Sequence, residues 1–159
     1  MADKANANIS ASIFLDDLKS EMGGSFNYEP KDANDKWVFA EIAVGNGAST
    51  DLLDTNDSYL GSSTQVATAD KVHWIAIKNT SSTATEGVAI DLITGTAAYD
   101  LKGINVIGAG EMIVLKPVNT TIADLHARSC TLDGTYGYAT AQGSATVTVQ
   151  VAAILDDVA

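Results

Sequence analysis

The chain has 159 residues, of which 46% are hydrophobic and only 18% charged, and its formal net charge is −11. That length suits one main compact domain whose core needs neither disulfide nor metal. Nine Lys and Arg against 20 Asp and Glu leave no cationic surface for phosphates, which excludes direct nucleic-acid binding and disfavours anionic membranes.

Taken in chain order, the first thirty-five residues differ from the rest. Ile9, Ile13, Phe14, Leu18 and Met22 recur at helical spacing and Gly23-Gly24 follows as a stop, so a short amphipathic helix is expected near 11–22, with Ser10 or Ser12 as its cap. The alternative is an extended arm lying on a neighbouring subunit. In either form these five apolar residues are the candidate interface. Asn27 to Asp35, with Pro30 and several charges, reads as a linker. The expected organisation is therefore an N-terminal arm over 1–35 and a β domain over 36–159.

From Lys36 the pattern changes to short β-type runs separated by turn residues. Trp37 to Val44 is the first, closed by Gly45-Asn46-Gly47. Ser49 to Asp70 is rich in Thr, Ser, Asp and Asn, with Leu52, Leu53, Tyr59, Leu60 and Val66 as weak anchors, and reads as a long loop with at most one short strand. Strands are then expected at 72–78, 87–93, 98–102, 111–116, 125–132 and 145–155. Turn signals spaced in this way predict a mainly β fold, an antiparallel β-sandwich or jelly roll.

Alternation adds detail. Val147, Val149 and Val151 alternate with Thr146, Thr148 and Gln150, the pattern of a strand with one wet face. In 72–78, strict alternation groups His73 with Ile75 and Ile77, and Val72 with Trp74 and Ala76. Both faces are then mainly apolar, and such a strand must be covered on both sides. Met112 to Leu115 reads similarly. These faces are a modest argument for oligomerisation. Trp37 and Trp74, each inside an apolar run, read as core anchors, with a sugar-stacking surface as the alternative.

Chemistry is scarce. The two histidines, His73 and His126, belong to no Gly-x-Ser-x-Gly elbow or His-Glu-x-x-His motif, and there is a single cysteine, Cys130, which reads as a buried inert thiol. His126 and Cys130, four residues apart on a strand, would sit about 13 Å from each other. Asp54-Thr55-Asn56-Asp57-Ser58 resembles the start of a calcium loop but lacks its sixth-position glycine and closing glutamate, so a solvated acidic loop is the expectation. Asp16-Asp17 and Asp156-Asp157 are adjacent pairs whose carboxylates diverge. Gly45-Asn46-Gly47 and Gly108-Ala109-Gly110 read as turns, not phosphate cradles. No cofactor, metal site or catalytic residue is expected, and the chain reads as a non-enzyme. No basic leader precedes an apolar stretch and no apolar run of about 18 residues occurs, so neither a signal peptide nor a membrane span is expected. Asn-x-Ser/Thr sequons at Asn8, Asn56, Asn79 and Asn119 read as by-products of composition.

Trp74-Ile75-Ala76-Ile77-Lys78-Asn79-Thr80-Ser81, followed by Gly110-Glu111-Met112-Ile113-Val114-Leu115-Lys116, resembles a pattern in small virion proteins of tailed bacteriophages. There a strand ends in a Lys-Asn-Thr/Gly turn, and a later Gly-x-Glu strand packs beside it. Residues 145–157 are similar to the closing strand of such proteins. The resemblance spans about residues 72–157, and residues 1–70 do not share in it. It implies a small β-sandwich of the capsid decoration or cement type, made in the host cytoplasm and resident on the capsid surface. Its implied partners are the major capsid protein lattice and, as a homotrimer, itself. The resemblance carries over no catalytic residue. A tail, neck or fibre subunit and a carbohydrate- or receptor-binding sandwich module are the alternatives.

Overall fold

The computed structural model describes residues 5–15, 18–28, 35–45, 50–55, 59–60, 66–94, 99–117, 121–133, 139–142 and 145–156. The chain divides into two compact units, Met1–Ala33 and Asn34–Ala159. Among the described residues all regular elements are strands.

The first unit is a β-hairpin of β1 (Ala5–Leu15) and β2 (Leu18–Tyr28), paired in one unbroken antiparallel register from Ala5↔Tyr28 to Leu15↔Leu18. This replaces the helix expected over 11–22. The steps from Ile9 to Ile13 within β1 and from Leu18 to Met22 within β2 are of four residues, whereas that from Phe14 to Leu18 crosses between the strands. An even step returns to the same side of a strand as readily as to the same side of a helix, so the spacing was ambiguous. Gly23 and Gly24 are not a helix stop; they pair with Ser10 and Ile9 inside the ribbon. Asn27 belongs to β2, not to a linker. Ile9, Ile13, Phe14, Leu18 and Met22 all fall in the hairpin, but their side-chain contacts lie outside the described part of the structure.

The second unit is an antiparallel β-sandwich. One sheet has four strands in the order β3 (Lys36–Val44), β12 (Val147–Asp156), β6 (Lys71–Asn79), β9 (Met112–Leu115). The other has six: β5 (Tyr59–Leu60), β4 (Thr50–Asp54), β10 (Ile122–Leu132), β7 (Glu86–Thr94) and β8 (Tyr99–Ile107) in order, with β11 (Ala139–Gln142) also paired to β10. Between them lies one core. Val38, Ile42 and Val44 from β3, Val147, Val149, Val151, Ala153 and Leu155 from β12, and Val72, Ile75 and Ile77 from β6 meet Leu52, Leu53, Val88, Ile90, Ile107, Leu125 and Ala127 from the other sheet. The half-buried reading of 147–151 holds, since its valines are buried while Thr148 is exposed.

Two bulges explain where strict alternation misleads. In β6, Trp74 pairs with Ile154 and Val72 with Leu155, leaving His73 as the extra residue. A bulge shifts the phase of its strand by one. Val72 therefore joins Ile75 and Ile77 in the core, and His73 leaves that row, the reverse of the expected grouping. In β4, three residues from Asp51 to Leu53 oppose only Leu125 and His126 of β10. Leu52 and Leu53 are both fully buried as a result, and the stretch read as a loop supplies two core anchors.

The sandwich ends are tied by buried polar residues. Asn79 donates through Nδ2 to Glu86 O (3.0 Å) and Ile107 O (3.4 Å), and its Oδ1 accepts from Ser81 N (2.9 Å). Its backbone bonds Glu111 and Gly110. The two segments that carry the virion-protein resemblance are therefore joined here, and β9 pairs with β6 from Ile75↔Leu115 to Lys78↔Met112. Gly110 takes φ +74°, a left-handed turn position at which a side chain is strained. At the other end, Thr55 Oγ1 both donates to Ile122 O and accepts from Ile122 N.

Candidate interaction face

Alternate residues of the four-stranded sheet point away from the core, and many of these are apolar. The register aligns them in rows across the strands. One row is Trp37–Ile154–Trp74, the next Phe39–Ala152–Ala76–Val114, and the third Glu41–Gln150–Lys78–Met112. The first two are almost wholly hydrophobic. Trp37 is 41% exposed, Phe39 54% and Met112 59%.

Trp37 and Trp74 are thus not core anchors. They occupy the outer face, on the two strands that flank β12. Strands two apart are separated by about 9.6 Å, yet the indole centroids are 5.5 Å apart with planes at 74°. The rings lean together above the intervening Ile154. That roof explains why Ile154 is only 1% exposed although it points outward. An edge-to-face pair of this kind contributes about 0.5–1.5 kcal/mol beyond area burial. Part of the greasy face is therefore covered from within the chain, while Phe39 and the outer flank of Trp37 remain in water. Gln150 Nε2 donates to Glu41 Oε1 at 2.8 Å, giving the patch a polar margin on one side.

At the opposite margin of this sheet is a polar corner. Lys36 Nζ is 3.0 Å from Asp70 Oδ2, whose side chain is almost fully buried, and Ala67 N donates to the same oxygen. Beside it, His73 Nε2 lies 3.6 Å from Asp156 Oδ2, and Asp35 completes a trio whose candidate ligand atoms are all within 4.8 Å of one another. Residues 35, 73 and 156 are too far apart in sequence for any motif to link them. No signal in the sequence marks them, because the bulge that re-aims His73 arises only from its pairing with β12.

On the outer side of the six-stranded sheet, His126 Nε2 is 3.2 Å from Asp51 Oδ1, an oriented pair of the kind that accompanies nucleophiles. Cys130 shares the strand with His126 but is buried, and burial pushes its thiol pKa up, partly offset by a hydrogen bond from the Ala89 backbone. Such a thiol is a poor nucleophile. Of the acidic stretch read against a calcium loop, Asp54 ends β4 and Thr55 turns inward to Ile122, while Asn56 to Ser58 lie outside the described residues. Asp16, Asp17 and Asp157 also lie outside them. No protein-family model matches the chain, and no curated protein matches it.

Proposed function

We propose that the chain is a non-enzymatic structural protein of a tailed-phage particle, one that seats on the assembled capsid and bridges neighbouring capsomers. The observation that carries this reading is the outer face of the four-stranded sheet. Trp37 and Phe39 stand exposed on a contiguous apolar surface with a polar margin, and such patches mark contact sites in soluble proteins. The resemblance over residues 72–157 supports the virion assignment. The long N-terminal hairpin supports bridging: eleven paired residues extend about 37 Å, and a two-stranded ribbon alone in water is marginal. A subunit that binds only the assembled lattice stabilises the shell by mass action, and repetition over symmetry-related sites adds avidity. Self-association as a homotrimer belongs to the same proposal.

Electron microscopy of the native particle tests this reading, combined with capsid melting in the presence of wild-type or Phe39→Glu protein. The expected result is density over the shell, a raised melting midpoint with wild type, and loss of that rise with Phe39→Glu. Density confined to one vertex would move the assignment to a tail, neck or fibre subunit. A second reading has one observation in its favour: Trp37 and Phe39 are alternate residues of β3, about 7 Å apart on a flat face, beside Glu41, Gln150 and Lys78. That spacing suits stacking of successive sugar rings. Saturable glycan binding abolished by Trp37→Ala, with no effect on capsids, would favour a carbohydrate-binding module.

A further inference from the structure

We infer that Asp35, His73 and Asp156 form a binding site for a divalent late first-row transition cation of the zinc class. The three side chains come from adjacent positions at one end of the four-stranded sheet. Asp35 immediately precedes β3, Asp156 is the last residue of β12, and His73 is the bulged residue of β6. β12 lies between the other two strands, so the three donors converge from three neighbouring strands of the sheet. Bulges re-aim single side chains in this way next to functional sites.

The distances fit coordination better than hydrogen bonding. At 3.6 Å, His73 Nε2 and Asp156 Oδ2 are beyond the usual 2.7–3.2 Å of an N–H···O bond, about half an ångström too long. Two donors on one tetrahedral zinc, each bonded at about 2.0–2.1 Å, are separated by about 3.4 Å. A cation between them therefore needs almost no movement, and Asp35, within 4.8 Å of both, needs to approach by at most about 1.4 Å. His73 Nε2 and Asp35 Oδ1 are buried atoms, so the ion would be partly withdrawn from water, and a water molecule supplies the fourth ligand. Two carboxylates and one neutral imidazole offset the dication's charge. The nearby Lys36 ammonium lies 3.0 Å from Asp70 Oδ2. The imidazole sets the class: nitrogen donors suit zinc, cobalt, nickel and iron, whereas magnesium and calcium take oxygen. Bound metal would clip together the ends of β3, β12 and β6.

The test uses the full-length untagged chain, stripped with chelator and then titrated with Zn²⁺, Co²⁺, Mg²⁺ or Ca²⁺. Calorimetry should show one Zn²⁺ per chain, and Co²⁺ should develop a visible d–d band. With metal at about a hundredfold over its dissociation constant, the melting midpoint should rise by about 5–10 °C. Mg²⁺ and Ca²⁺ at the same concentration should leave it unmoved. His73→Gln and Asp156→Asn should each weaken Zn²⁺ binding by tenfold or more while the far-ultraviolet dichroism of the β fold persists. If a variant fails to fold, the His73 imidazole nitrogen resonances of wild type, followed by NMR during Zn²⁺ addition, give the same answer through a direct shift at Nε2. The inference is overturned by no Zn²⁺ or Co²⁺ binding, by an equal response to Ca²⁺, by undiminished binding in folded variants, or by an unmoved His73 resonance.

Discussion

Asn79 offers a stringent test of how the sandwich is closed. It is fully buried, and its side chain bonds three backbone groups: the carbonyls of Glu86 and Ile107 and the amide of Ser81. Asn79→Ala removes all three bonds and leaves the buried Ile107 carbonyl without this donor. At about 1 kcal/mol per lost bond, the expected cost is about 3 kcal/mol, or about 6–12 °C in melting midpoint for a chain of this size. Asn79→Asp preserves shape but replaces the donating amide by an oxygen facing two carbonyl oxygens. Its carboxylate is desolvated and repelled together, so the cost at pH 7 should exceed that of the alanine variant, reaching about 3–5 kcal/mol. Both effects would keep the introduced carboxyl protonated to higher pH in the folded state than in the unfolded chain. The folded protein then binds the extra proton, so the aspartate penalty shrinks as pH falls towards the ordinary carboxylate range. Urea unfolding monitored by tryptophan fluorescence at several pH values measures this, with an unchanged denaturant slope marking a pure stability effect. An alanine variant within 0.5 kcal/mol of wild type, or an aspartate variant as stable as wild type at pH 7, would refute the argument.

Three further outcomes follow from other positions. Thr55→Val should cost about 2 kcal/mol, because the buried Ile122 amide loses its acceptor, while Thr55→Ser should cost only about 1 kcal/mol for one methyl group; the opposite order in urea unfolding would show that packing outweighs the hydrogen bonds. Ala69 sits at φ 73°, where a Cβ costs about 1–2 kcal/mol, and the looser unfolded state of glycine offsets part of the gain. Ala69→Gly should therefore raise stability by about 0.5–1 kcal/mol, and a destabilised variant would refute this. Burial raises the Cys130 thiol pKa, so the folded state holds that proton more tightly. The resulting stability is complete below the ordinary thiol range and is lost as pH rises from there through the raised folded-state value; Cys130→Ala should remove this alkaline slope, and iodoacetamide should label native protein far more slowly than urea-unfolded protein.

Much of the sandwich was legible because its signal is local. Val147 to Val151 alternate, and the pleat turns alternation directly into one buried and one wet face. The turn at Gly108-Ala109-Gly110 and the paucity of Lys and Arg were equally plain, since a turn needs particular residues and charge is a property of composition. The N-terminal hairpin was not legible, because a four-residue step satisfies helix and strand alike, and only pairing of Ala5–Leu15 with Leu18–Tyr28 decides between them. Nor was the place of Leu52, Leu53 or His73, because a bulge is a mismatch between two strands and has no existence within one.

The sequence by itself determined that this chain is acidic, rich in strands and able to form a core of alternating valines and isoleucines, because those properties reside in single residues and their nearest neighbours. Only the tertiary structure decided that Trp37 and Trp74 roof Ile154 on the outer face and that Asp35, His73 and Asp156 meet at one corner. Both arrangements depend on strand order and register. These bring together residues up to 121 positions apart (35 to 156), and no periodicity along the chain encodes them.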